Sequence, residues 1–150
     1  TVVVKVGAEG KEYHVHKRLL THYSDYFKGA LNNGTFKEAE DGVVVISDVD
    51  ICTFEGFVEY LYTQALSPGK EWKPAHLELE EPETERIDLY LTRSYVFADR
   101  FLVAGMKKWV MDMAYDYFED STPWYITVNY AYENLPEGSP FLELLVDAHC

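Results

Sequence analysis

His14 and His16 stand two residues apart, a spacing that sets both on one face of a strand, where two imidazoles could share a metal ion. No third Cys, His or Asp lies at a useful spacing nearby, so a structural or exposed role is expected for each and no metal site is expected. His22, His76 and His149 are scattered singly. Tyr13 and Lys17 are four apart, as in a reductase Tyr-Lys pair, but no dinucleotide-binding segment precedes them and the pair reads as coincidence. Cys52 opens a helical stretch, where the backbone dipole favours a thiolate; Asp48, Asp50 and Glu55 oppose it, and a half-buried inert thiol is expected. Glu80 and Glu81 lie in a proline-rich stretch without the rigid apolar pocket that tunes a general acid. A G-x-S-x-G elbow, a Walker lysine loop and a dinucleotide glycine fingerprint are all missing. The expectation is a non-enzymatic chain with no catalytic residues and no cofactor.

The elements that carry these residues follow from periodicity. Val2, Val4 and Val6 alternate with Val3 and Lys5, Gly7-Ala8-Glu9-Gly10 supplies a turn, and Lys11 to Val15 returns as the second strand of a hairpin. A short helix follows, anchored by Leu19 and Leu20. Ser24 is a candidate N-cap for the next helix, which carries Phe27 and Leu31 four apart and ends at Asn32-Asn33-Gly34. Val43 to Ile46 predicts a short strand buried on both faces. Asp50 or a neighbour caps a helix whose Phe54, Phe57, Val58 and Leu61 share one face.

Between Ser67 and Glu85, Pro68, Pro74 and Pro82 accompany Glu78, Glu80, Glu81, Glu83 and Glu85, which predicts an exposed acidic loop, an insertion at about 66–86. From Ile87 a helical stripe runs through Leu91, Tyr95, Ala98 and Leu102. Gly105 is expected to bend the chain into a helix striped by Trp109 or Val110, Met113 and Tyr117. Thr122-Pro123 opens a helix with Trp124, Val128, Ala131 and Leu135 inward, and Ser139-Pro140 opens another with Leu142, Leu145 and Val146. The fold class is therefore α+β: a helical cluster flanked by a small sheet.

The chain of 150 residues is long enough to bury a sizeable core. With 13 Lys and Arg against 26 Asp and Glu, its formal net charge is −13, which argues against binding nucleic acid or an anionic membrane surface. Hydrophobic residues are 47% and aromatic ones 15%, too many for a disordered chain. The longest aliphatic block, Val43-Val44-Val45-Ile46, is far short of a membrane span. Cys52 and Cys150 make no disulfide framework, so reduced thiols in the cytoplasm or nucleus are expected. A start at Thr1 rather than Met is expected of a piece of a longer protein. Twelve Tyr and three Trp suit both a packed core and an interaction surface.

Four blocks, in order, carry a family likeness. His16-Lys17-Arg18-Leu19-Leu20 with Ser24-Asp25-Tyr26-Phe27 resembles the H-K-x-x-L … S-x-x-F signature of BTB/POZ domains. Ile46-Ser47-Asp48-Val49-Asp50, then Phe54, Phe57 and Tyr60-Leu61-Tyr62-Thr63, resembles the family's strand and helix. Tyr95-Val96-Phe97-Ala98-Asp99-Arg100-Phe101 resembles its Y-x-x-A-D-K/R-F helix. The tail Ala131-Tyr132-Glu133-Asn134-Leu135-Pro136 with Leu142 and Leu145, like the acidic insertion, is similar to fungal members.

The resemblance implies a BTB/POZ (Skp-like) fold with a three-stranded sheet, a core over 1–118 and a C-terminal helical extension over 119–150. His16, Leu20, Ser24, Phe27, Tyr95, Ala98 and Asp99 would be its structural signature, with His16 packed and hydrogen-bonded where strand meets helix. It implies a protein-protein interaction module that forms a homodimer or docks a protein partner, with Leu20, Tyr23 and Tyr26 as the candidate dimer interface. It also implies an alternative as a substrate adaptor recruiting a cullin ubiquitin-ligase scaffold, because Phe36-Lys37-Glu38 stands where adaptors carry a hydrophobic-x-Glu motif, with Phe36 and Glu38 as the partner-binding pair. A third implied role is the oligomerisation domain of a transcription regulator. The aspartate that usually opens the first strand is replaced by Thr1-Val2-Val3, and the leading strand and helix that swap in many family dimers are missing from this sequence.

Overall fold

The computed structural model describes residues 1–32, 42–65 and 83–149, with side chains described for all of these except 83–86 and 149. Strand β1 (Val2–Val6) pairs antiparallel with β2 (Lys11–Val15), Val4 facing Tyr13, and parallel with β3 (Val43–Ile46), Val3 facing Val43. The sheet order is β2-β1-β3. Gly7 and Gly10 take φ of 80° and 68° in the hairpin turn, backbone that a side chain would strain. Val2, Val4 and Val6 point into the core, as the alternation requires.

Helices α1 (Lys17–Tyr23) and α2 (Asp25–Asn32) separate the hairpin from β3, and α3 (Ile51–Thr63), α4 (Glu83–Arg100) and α5 (Ala104–Glu119) follow it. Helices α6 (Tyr125–Asn134) and α7 (Pro140–His149) complete the described residues and pack on α4 and α5 respectively. The expected α+β architecture, a helical cluster beside a three-stranded sheet, is the one observed. At the centre of the core Phe27 stacks on Phe101 at 5.5 Å and on Phe57 at 6.0 Å, and Phe97 packs against Phe57 at 4.8 Å.

Several expectations are corrected. β3 is covered on one face only: Val44 and Ile46 are buried while Val45 is 63% exposed, because the sheet is a single layer with helices on one side. Residues 83–86 lie in α4 rather than in the acidic loop; the rest of that loop lies outside the described residues. Leu102 leaves the helical stripe, since α4 ends at Arg100 and Leu102 takes a left-handed φ of 54°. Val103 N–H reaches back to the Ala98 carbonyl at 2.9 Å, the six-residue loop of a Schellman turn with leucine where glycine is usual. That turn makes the bend assigned to Gly105. Gly105 instead lies inside α5, where a Cβ would collide with the Tyr60 hydroxyl.

On α5 the buried stripe is Met106, Val110, Ala114 and Phe118, so Val110 rather than Trp109 faces inward. On α6 the inward face is Thr127 and Ala131, Leu135 is buried just past its end, and Trp124 stands before the helix, 41% exposed. On α7 the buried residues are Phe141, Leu142 and Leu145, and Val146 faces outward.

Candidate protein-interaction surface

Ser24 fixes how the first two helices meet the rest. Its backbone is extended, its Oγ accepts from Phe27 N–H at 3.1 Å, and its hydroxyl donates to the Phe101 carbonyl at 2.6 Å. Asp25 N–H donates to the Leu102 carbonyl at 3.2 Å. The carbonyl-rich end of α4 is thereby set against the N–H-rich start of α2, each satisfying groups the other leaves open. Asp50 caps α3 in the expected way, accepting from Thr53 N–H at 3.2 Å.

His16 precedes α1, and its Nδ1 lies 2.6 Å from the Tyr62 hydroxyl on α3, which ties the strand-to-helix corner to that helix. His14 and His16 are both exposed, and among the described residues no cluster of three His, Cys, Asp or Glu could hold a metal ion. The Tyr13 hydroxyl donates to Glu55 at 2.7 Å, and Lys11 reaches the same carboxylate at 3.4 Å. Burial, with that hydrogen bond, raises the Tyr13 pKa.

Of the candidate dimer residues, Leu20 is fully buried and offers no surface, because its helix turns that side chain into the core. Tyr23 is half-buried, edge-on to Tyr60, and Tyr26 is 42% exposed, edge-on to Phe101. Phe27, Tyr95 and Ala98 are core, with Tyr95 stacked on Phe141 at 4.6 Å. Asp99 pairs with Lys107 at 2.7 Å across the turn between α4 and α5, and that hydrogen bond raises the Lys107 pKa. Phe36 and Glu38 lie outside the described residues.

Cys52 is buried on α3, and burial, with Asp50 and Glu55 nearby, pushes its pKa from 9.0 up to about 12. The unfolded chain therefore loses this proton above about pH 9 while the folded chain keeps it, and folding loses stability as pH rises through that window. A thiol reagent at pH 8 is expected to leave Cys52 unmodified in the native chain and to modify it rapidly in denaturant. Equal rates in the two conditions would contradict the burial.

One contact lies outside what periodicity predicts. Asp88 is fully buried on α4, and its carboxylate accepts from Trp124 N–H at 2.7 Å, immediately before α6. That contact ties the start of α6 to α4, and Trp124 beside it is 41% exposed. A lone acid inside Ile87-Asp88-Leu89-Tyr90-Leu91 was the available signal, since an aspartate among apolar neighbours is buried only with a partner. Trp124, Tyr125 and Ile126 are then 41%, 75% and 52% exposed in succession. Three large apolar side chains together in water are the kind of surface that binds proteins. No helix among the described residues is long and apolar enough to cross a membrane.

A hairpin and a parallel third strand on a helical cluster, locked by a serine between the first two helices, define a scaffold for binding other proteins. The BTB/POZ domain family model matches residues 1–81, and the chain belongs to that family. It is a protein-interaction module.

Kelch repeat and BTB domain-containing protein 4 of Homo sapiens is 32% identical over 100 residues, which cover 66% of this chain and 17% of that protein. The same protein of Mus musculus is 32% identical over 59 residues, covering 39% of this chain and 11% of its own length. The chain thus spans less than a fifth of the curated relatives it matches. The BTB domain of human gigaxonin is similar in structure, with a TM-score of 0.49, 14% identity and 74% of each chain covered. These relatives are mammalian, and none of them bears the fungal likeness expected of the tail and of the acidic insertion.

Proposed function

We propose that this module docks a different protein rather than pairing with its own copy through α1 and α2. The observation that carries the reading is the burial of Leu20 together with Phe27 and Leu31. Most apolar anchors of both helices are spent on the core, and what remains outside is Tyr26 and parts of Leu19 and Tyr23. A stable isologous interface needs about 800 Å² from each partner, far more than these three side chains supply.

The exposed run Trp124 to Ile126 and the helical extension beyond about residue 118 belong to the same reading, as surface added beside the core. Within it, the partner of choice is a cullin-type scaffold, with Phe36 as the apolar knob and Glu38 as the polar contact. Likeness to kelch-and-BTB proteins supports a module that works inside a longer chain.

Light scattering across a tenfold concentration series tests the docking reading. The expected mass stays near 17.3 kDa throughout. A mass near twice that value, reverting to monomer on Tyr26→Ala, would sink it. In the same preparation, Phe36→Ala with Glu38→Ala is expected to abolish capture of a cullin N-terminal region without moving the thermal midpoint. Undiminished capture removes the cullin assignment and leaves the docking reading to the mass measurement.

A further inference from the structure

We propose that the cleft between the β3–α3 turn, α4 and α6 receives one carboxylate, carried beside an apolar side chain on a net-basic peptide segment of the partner. The inference rests on the docking reading and names the chemistry of what is docked. The cleft has a volume of about 580 Å³. Its apolar lining is Val49, Val96, Phe97 and Phe101, of which Val96 is half-buried and the others are buried. Its rim is charged, with Asp48, Asp50 and Asp99 against Arg93 and Arg100.

Each acid on the rim already has its partner. Arg100 holds Asp48 through both terminal guanidinium nitrogens, at 2.9 and 3.1 Å, and that hydrogen bonding lowers the Asp48 pKa. Asp50 caps α3. Asp99 is held by Lys107 at 2.7 Å.

Arg93 differs. Its guanidinium lies 5.7 Å from the centre of the Tyr130 ring, and among the described residues it has no carboxylate partner. The ring fixes the guanidinium at the cleft wall without neutralising it, so its planar fork of donors stays available. A carboxylate matches that fork in charge and geometry, and the apolar floor beneath takes the side chain next to it. Asn134 donates its amide to the Tyr130 carbonyl at 2.8 Å, which leaves its side-chain oxygen as an acceptor for a peptide N–H at the same rim.

The remainder of the molecule decides what else the segment carries. Three acids and two arginines line the cleft, with Lys107 beside it on Asp99, while the chain bears a formal −13. An acidic segment would be repelled before it arrived; a net-basic one is drawn in and delivers its single carboxylate to Arg93.

The test uses two end-blocked peptides, Lys-Leu-Glu-Leu-Lys and Lys-Leu-Gln-Leu-Lys, titrated into the isotope-labelled chain and followed by backbone amide shifts. The Glu peptide is expected to give saturable shifts confined to residues 48–53, 93–101 and 130–134. The Gln peptide is expected to bind at least about tenfold more weakly, the loss of one charge-assisted pair. Arg93→Gln should lose the same factor and Arg93→Lys less, with thermal midpoints matching the parent to show that both fold.

Equal affinity for the two peptides, an unchanged affinity in Arg93→Gln, or no saturation overturns the inference. A phosphoserine peptide that outcompetes the Glu peptide overturns it in favour of phosphate recognition. None of these results alters the solution mass, so failure here is separable from failure of the docking reading.

Discussion

Replacing Ser24 by alanine is expected to cost about 2–4 kcal/mol of folding stability. The hydroxyl has two jobs, and both are buried. As the N-cap of α2 it accepts from Phe27 N–H, and loss of such a cap costs about 0.5–2 kcal/mol. As a donor it satisfies the Phe101 carbonyl, and leaving a buried carbonyl without its donor costs about 1–3 kcal/mol more. Ser24→Thr keeps the oxygen in place and should lose under about 1.5 kcal/mol, the strain of one added methyl. Urea denaturation of the three proteins checks this. A loss below about 1 kcal/mol for the alanine variant would mean that α2 and the end of α4 are joined by packing alone.

Phe27→Ala carries the larger expected effect, about 3–5 kcal/mol. The ring is fully buried and is stacked between Phe57 and Phe101, which come from α3 and from the end of α4. Its removal opens a cavity walled by rigid aromatic rings, which collapse into it poorly, and that places the cost at the upper end. Domains of this size are stable by about 5–15 kcal/mol, so the variant sits near the edge of folding. Amide-proton dispersion at 37 °C should shrink toward that of an unfolded chain, whereas Phe27→Leu retains it. A fully dispersed alanine variant would place the centre of the core elsewhere.

How legible each element was depends on how local its causes are. The hairpin, the caps at Ser24 and Asp50 and the face Phe54–Phe57–Leu61 were legible because alternation, capping chemistry and a four-residue step act within a few residues. How α6 meets α4 was not, because its start is tied to a carboxylate 36 residues earlier in the sequence. Periodicity alone offers Trp124 as an inward residue, whereas it stands before α6, 41% exposed, with its N–H on Asp88.

Val45 was misplaced for a similar reason. Four apolar residues in a row specify a strand but not how many of its faces are covered, which depends on the number of layers. The family itself was legible because its blocks combine core positions with capping residues, and both constrain residue type. The partner surface was less so. Exposed tyrosines and buried ones look alike in a sequence, and Leu20 belonged to the core although its neighbour Tyr23 is partly outside.

The Ser24 junction also orders events as the chain folds. The two residues its donated bond joins are 77 positions apart, so that bond, unlike the local cap on Phe27 N–H, cannot form until the end of α4 exists. During synthesis the hairpin and first two helices emerge well before Phe101, with the Ser24 hydroxyl proton not yet on its carbonyl and the Phe27 ring without its stacking partners. Closing a loop of that length must precede the reward for closing it, which puts this contact among the late ones. Until then the N-terminal third exposes its apolar faces, and it is this interval, rather than the finished fold, in which the chain is most open to misassembly.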